Sequence, residues 1–114
     1  MDGRQIGSEG EERAAVYLAR LGYAILARNK RYKVGEIDIL ARDGQTLVLV
    51  EVKAGKTGLF GHAMLRIGPQ KQRKLRQLAS RLSQDYPKAQ LRIDVINVND
   101  QGEVLHIPNA VQAW

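Results

Sequence analysis

The run Thr46-Leu47-Val48-Leu49-Val50-Glu51-Val52-Lys53 constrains this chain more than any other segment. Its aliphatic and β-branched residues leave both alternating faces apolar up to Glu51. A strand of that kind belongs at the centre of a sheet with a layer packed on each side. The rest of the chain must therefore supply two covering layers. The end of the run breaks the pattern, because Glu51 and Lys53 put charges where a covered strand is expected to be apolar. Such charges are costly unless they are paired or used.

A second strand is expected from Gly35 to Ala41. The connection Arg42-Asp43-Gly44-Gln45 contains Asp-Gly, a strong two-residue hairpin signal. With Asp43 and Gly44 as the loop, Arg42 pairs with Gln45, Leu40 faces Leu47, Asp38 faces Leu49 and Glu36 faces Glu51. Side chains alternate with period two, so Glu36, Asp38, Glu51 and Lys53 would project from one face. Asp38 and Glu51 become diagonal neighbours roughly 7–8 Å apart at the backbone. A cation fits between two carboxylates at that separation.

Helices supply the covering layers. Ser8 to Leu21 has helical periodicity, with Gly22 as its terminator and Met1 to Gly7 as a lead-in. Ala14, Ala15, Leu18 and Leu21 form its apolar stripe, and Glu11 falls at the centre of that stripe. Glu11 fits a capping box with Ser8 as the N-cap and also a place in the acidic cluster, and the two roles are not exclusive. Pro69 suits the first turn of a second helix whose buried stripe is Leu75, Leu78, Ala79 and Leu82. Lys71 lies near that stripe and can reach inward with its ammonium.

Tyr23 to Arg28 reads as a further strand and Asn29 to Val34 as a basic loop. Ala54 to Gly68, with four glycines, reads as a long connector beside the charged strand end. Leu91 to Val98 is another strand, in which Asp94 is expected to serve an ion pair. Glu103 to Ile107 is a short last strand ended by Pro108, with Asn109 to Trp114 as a tail.

At 114 residues the chain is expected to form one domain, spanning 1–114. It has no cysteine, which excludes a disulfide framework, a zinc finger and a thiol nucleophile. No long apolar run or signal pattern appears, so the expectation is a cytoplasmic protein with no membrane partner. The net charge of +6 favours a polyanionic partner, of which nucleic acid is the commonest. Lys30, Arg31, Lys33 and Lys74 are the expected contacts. His62 and His106 are isolated and lack ligand spacing, and no phosphate-binding glycine loop appears.

These residues suit phosphodiester hydrolysis. The reaction needs an activated water, neutralised phosphoryl oxygens and help for the leaving oxyanion, all of which carboxylate-bound Mg²⁺ supplies. Asp38 and Glu51 are the expected principal ligands, with the Val52 carbonyl within reach. Lys53 would orient water or stabilise developing charge. Glu36 and Glu11 would complete the outer shell or a second metal. The competing expectation is a non-catalytic nucleic-acid-binding module on a nuclease scaffold, acting in DNA repair, recombination or uptake.

With these residues in place, the chain resembles the PD-(D/E)xK nuclease superfamily, Asp38 standing as the aspartate and Glu51-Val52-Lys53 as the E-x-K. It is more similar still to the YraN-like family of small bacterial proteins (uncharacterised protein family 0102). The resemblance rests on Gly7-Ser8-Glu9-Gly10-Glu11, Gly22-Tyr23, Asn29-Lys30-Arg31, Gly35-Glu36-Ile37-Asp38, Val50-Glu51-Val52-Lys53, Lys71 and Arg92-Ile93-Asp94-Val95. It implies a restriction-endonuclease-like α-β-β-β-α-β core, a mixed sheet flanked by helices as in Holliday-junction resolvases. It also implies a Mg²⁺-dependent endonuclease acting on DNA, branched DNA included, with Mn²⁺ able to substitute. Glu11, Asp38, Glu51 and Lys53 are then the metal and catalytic positions, and a homodimer follows by analogy. Two departures stand out. Ile37 occupies the position of the superfamily's proline, and Ala54-Gly55 stands where an arginine usually follows the E-x-K.

Overall fold

In the computed structural model, which describes residues 3–55 and 67–113, β3 (Thr46–Gly55) is the central strand. Before it come α1 (Gly3–Arg20), β1 (Ala24–Tyr32) and β2 (Gly35–Asp43); after it come α2 (Pro69–Asp85), β4 (Gln90–Asn99) and β5 (Val104–Val111). The sheet order is β1-β2-β3-β4-β5, parallel only between β3 and β4 and antiparallel elsewhere. The parallel pair is joined through α2, as a parallel crossover requires. This is a mixed sheet with a helix on each side, in α-β-β-β-α-β-β order.

The two faces of β3 explain its double apolar pattern. Val48 and Val50 pack with Ala14, Ala15 and Leu18 of α1, together with Ile39, Ala41, Ile96 and Val98. Leu49 packs with Leu75, Leu78, Ala79 and Leu82 of α2, together with Ile37, Leu40 and Ile93. Leu21, expected in the α1 stripe, falls in the turn after the helix and is 51% exposed.

Several local expectations are corrected. The helix begins at Gly3, so Ser8 lies inside it and cannot act as N-cap; a mid-helix amide is already committed to the preceding turn. The hairpin loop is Gly44-Gln45, with Asp43 paired to Thr46 and Leu40 opposite Leu49 rather than Leu47. Gly44 takes the positive φ of 60° that this loop needs, while Asp43 is drawn into the sheet by Arg92 Nη1 at 3.1 Å. The slip is two residues, so it moves every partner and preserves the facing. Asn29 to Tyr32 is not loop but the end of β1, paired with Gly35 to Ile37. Tyr32 pins it there by packing on the α2 cluster and donating to Asp85 Oδ2 at 2.7 Å. Pro108 does not end β5, which continues to Val111. As an edge-strand residue at a register shift, it interrupts no ladder bond that the sheet requires. The connector's residues 56–66, and with them His62, lie outside the described residues.

The β4–β5 side is held by one buried carboxylate. Asp94 is fully buried and accepts from Arg92 Nε at 2.8 Å and Nη2 at 3.0 Å. It also accepts from the Asn109 amide at 2.9 Å, and His106 Nε2 lies 2.8 Å away. Burial pushes the Asp94 carboxyl up, but His106, Arg92 and the Asn109 amide outweigh it and hold the group below the ordinary range. Among the described residues no helix is long and apolar enough to cross a membrane.

Removing the Asp94 carboxylate would leave a buried imidazole, an amide at the β5 bulge and half of a partly buried guanidinium without their acceptor. Asp94→Ala is therefore expected to cost about 3–5 kcal/mol, read as a lowered midpoint in urea denaturation.

Candidate active site

The ladder between β2 and β3 stops at Ile39 opposite Val50, while β3 runs on beside β4 to Gly55. At this split the next β3 donor, Val52 N–H, is taken by Asp38 Oδ2 at 2.8 Å. The carboxylate stands in for a missing main-chain acceptor, and the bond carries Asp38 to the strand end that bears Glu51. Alternation breaks at the same place: Ile37 and Leu40 both join the α2 cluster while Ile39 joins the α1 cluster. The site is therefore not a row of side chains on one flat face, as strict alternation predicted. It is a cleft at the parting of two strands, approached from both layers.

Glu51 is buried, and its Oε1 lies 2.8 Å from Lys71 Nζ of α2. Glu11 comes from α1, where its Oε2 accepts from Asn29 Nδ2 at 2.9 Å. The same amide nitrogen donates to Glu36 Oε1 at 2.9 Å, and Arg31 Nη2 lies 3.1 Å from Glu36 Oε2. Glu36 sits opposite Arg31, not Glu51, because β2 has already left β3 at that point. Lys53 is half-buried beside Asn97 of β4 and has no ion-pair partner among the described residues.

The cations expected to meet nucleic acid gather near the β1–β2 hairpin. Lys30 stands over the Tyr32 ring at 5.4 Å, and Lys33 is exposed in the turn. Lys74 is exposed on α2, and its stem lies 3.1 Å from where a Cβ on Gly35 would stand. Gly35 also has a φ of 151°, a backbone conformation that strains any residue with a side chain.

Asp38 carries the electrostatic signature of the cleft. Burial, then the neighbouring Glu51 carboxylate, push its carboxyl up to about 7, with Glu11 adding to the rise. The Val52 amide and Lys71 oppose the shift without cancelling it. Among the described residues no three carboxylate or imidazole groups are already close enough to enclose a metal ion. Asp38 and Glu51 are the two carboxylates here that could hold a divalent cation, and Asp38 would have to release its proton to do so.

Two residues with important contacts were not anticipated. Asn29 links the acids of α1 and β2 by adopting φ 54°, a conformation asparagine tolerates better than most residues. An asparagine set among cations in a strand is the only sequence mark of it. His106, read as having no role, joins Asp94 to Tyr17, whose hydroxyl lies 3.3 Å from its Nδ1. Nothing in the spacing of His106 could show that pairing, because Tyr17 is 89 positions away.

The family model described as Uncharacterised protein family UPF0102 matches residues 10–98, a span that holds Glu11, Asp38, Glu51, Lys53 and Lys71. A UPF0102 protein of Thermodesulfovibrio yellowstonii is 44% identical over 110 residues, covering 93% of this chain and 95% of its own. One of Kosmotoga olearia is 46% identical over 110 residues, covering 95% and 93%. A solved structure titled "Structure of EndoMS-dsDNA2 complex" aligns with a TM-score of 0.47 at 22% identity. The alignment covers 74% of this chain and 34% of that one, a likeness too slight to carry fold or function across.

The raised Asp38 carboxyl sets a pH dependence. The native state keeps this proton up to about pH 7 while the unfolded chain releases it near 3.8, so stability falls as pH rises between those values. Asp38→Asn keeps an acceptor for Val52 and removes the charge. It should melt above the parent protein beyond about pH 7, with the difference vanishing below about pH 4. The ceiling is on the order of 4 kcal/mol. Thermal melts across that range read it, and parallel curves for the two proteins would contradict it.

Proposed function

The chain belongs to uncharacterised protein family UPF0102, and from the cleft that this family match spans we propose that it is a Mg²⁺-dependent endonuclease hydrolysing DNA phosphodiesters. The observation that carries the reading is the meeting of Asp38 and Glu51 where β2 leaves β3, with Val52 N–H holding the first and Lys71 the second. Asp38 and Glu51 would hold the cation, with the Val52 carbonyl and Glu11 at the edge of the same site. When bound, Mg²⁺ supplies charge neutralisation at the phosphoryl group and an acidified water.

The protein's own groups do the rest. Lys53 supplies an ammonium with no competing carboxylate among the described residues, able to orient the attacking water or meet the developing oxyanion. Lys71 balances Glu51 before substrate arrives. The Asn29 amide holds Glu11 and Glu36 against mutual repulsion, setting the acidic wall at the cleft mouth. Lys30, Lys33 and Lys74 offer exposed or half-exposed ammonium groups near that mouth, where the backbone of a duplex or a branched substrate would lie.

One observation favours a second reading, a DNA-binding module that does not cut. Lys71 already occupies Glu51, and an ion pair there competes with a dication. The two readings separate cleanly. Cleavage of labelled duplex, nicked and four-way-junction DNA should require Mg²⁺ or Mn²⁺. It should fall at least about 100-fold in Asp38→Ala, Glu51→Ala and Lys53→Ala, while salt-sensitive DNA binding persists. Binding without cleavage by the parent protein would leave the module.

A further inference from the structure

Asn97 on β4 is left unexplained by the fold and by the cleft. Its side chain is 1% exposed, and among the described residues neither its Nδ2 nor its Oδ1 has a hydrogen-bond partner. A buried carboxamide in that state has given up water without replacement, and an apolar residue of similar size would serve packing better. Its place in the sheet is specific. Asn97 pairs in register with Lys53 on the adjoining parallel strand, about 4.8 Å away. Paired residues of neighbouring strands project to the same face. Leu49 and Ile93, paired likewise two steps earlier on each alternation, put that face on the α2 side. The half-buried Lys53 and the buried Asn97 thus occupy paired positions on one face, and among the described residues Asn97 has no hydrogen-bond partner for its carboxamide and Lys53 no ion-pair partner.

We propose that Asn97 is a positioning residue for Lys53: its Oδ1 accepts a hydrogen bond from Lys53 Nζ when the cleft is loaded, aiming the ammonium at the phosphodiester. This rests on the nuclease reading for its purpose but not for its contact. An orphaned polar group kept beside a functional one matches the general trade of stability for activity.

Asn97→Leu should melt at or above the parent temperature, because no resting hydrogen bond is lost. Its kcat on DNA should fall about 10- to 100-fold with KM unchanged, and Lys53→Ala/Asn97→Leu should cleave no more slowly than Lys53→Ala alone. Asn97→Ala gives the same kinetic comparison if leucine does not fold. Independently of cleavage, the Asn97 side-chain amide signal in ¹H–¹⁵N spectra should shift on adding Mg²⁺ and a short phosphorothioate duplex, and should fail to shift in Lys53→Met. A lowered melting temperature for Asn97→Leu, with the same amide shift in Lys53→Met as in the parent, would assign Asn97 a structural partner and overturn the proposal. Cleavage unaffected by Asn97→Leu would overturn it and leave the nuclease standing. A Lys53-dependent amide shift in a protein that cuts nothing would keep the pairing and remove the hydrolysis.

Discussion

The hydrogen bond from Val52 N–H to Asp38 is the constraint on which the cleft depends. A β-ladder that ends must leave a donor unpaired or find it another acceptor. Here the substitute is a side-chain carboxylate, so the act of terminating the β2–β3 pairing also delivers an acid to the tip of the central strand. Structure and proposed chemistry share the Asp38 carboxylate.

The cleft is electrostatically unfavourable by construction. Glu11, Asp38 and Glu51 come from three different elements, and burial, then the neighbouring Glu51, make the Asp38 carboxyl hold its proton to about pH 7. Lys71 and Asn29 relieve the remainder from opposite layers, one by charge and one by amide hydrogen bonds. A protein selected for stability alone would place apolar residues at the end of such a strand. Local rules broken together at one place are the mark of a site rather than of a defect.

The opposite side of the sheet does the contrasting job. Asp94 is also a buried acid, yet its environment pulls the other way, because Arg92, His106 and the Asn109 amide all favour its charged form. This network ties β4 to the bulge of β5 and reaches Asp43 at the end of β2 through Arg92. It keeps β4 straight beside β3, and so keeps Asn97 beside Lys53. Two aspartates two strands apart thus differ in state: Asp94 is buried and held charged by its partners, while Asp38 is half-buried and holds its proton.

Much of this was legible from residues alone. The double-faced apolar run demanded a central strand with a helix on each side, and the stripe of α2 was readable down to Leu75, Leu78, Ala79 and Leu82. Asp38, Glu51 and Lys71 were marked as charges out of place. The sequence by itself therefore determined the layers, and which residues had no apolar reason to be where they are, because hydrophobic periodicity is a local property. The tertiary structure alone decided the pairing register, since Asp-Gly admits more than one two-residue loop and the Arg92–Asp43 contact chose between them. It alone decided where β2 leaves β3, that Asn29 turns to bind two acids, that His106 finds Asp94, and that Asn97 lies unpartnered beside Lys53. Those are contacts between residues distant along the chain, and they exist only once packing has closed the loops between them.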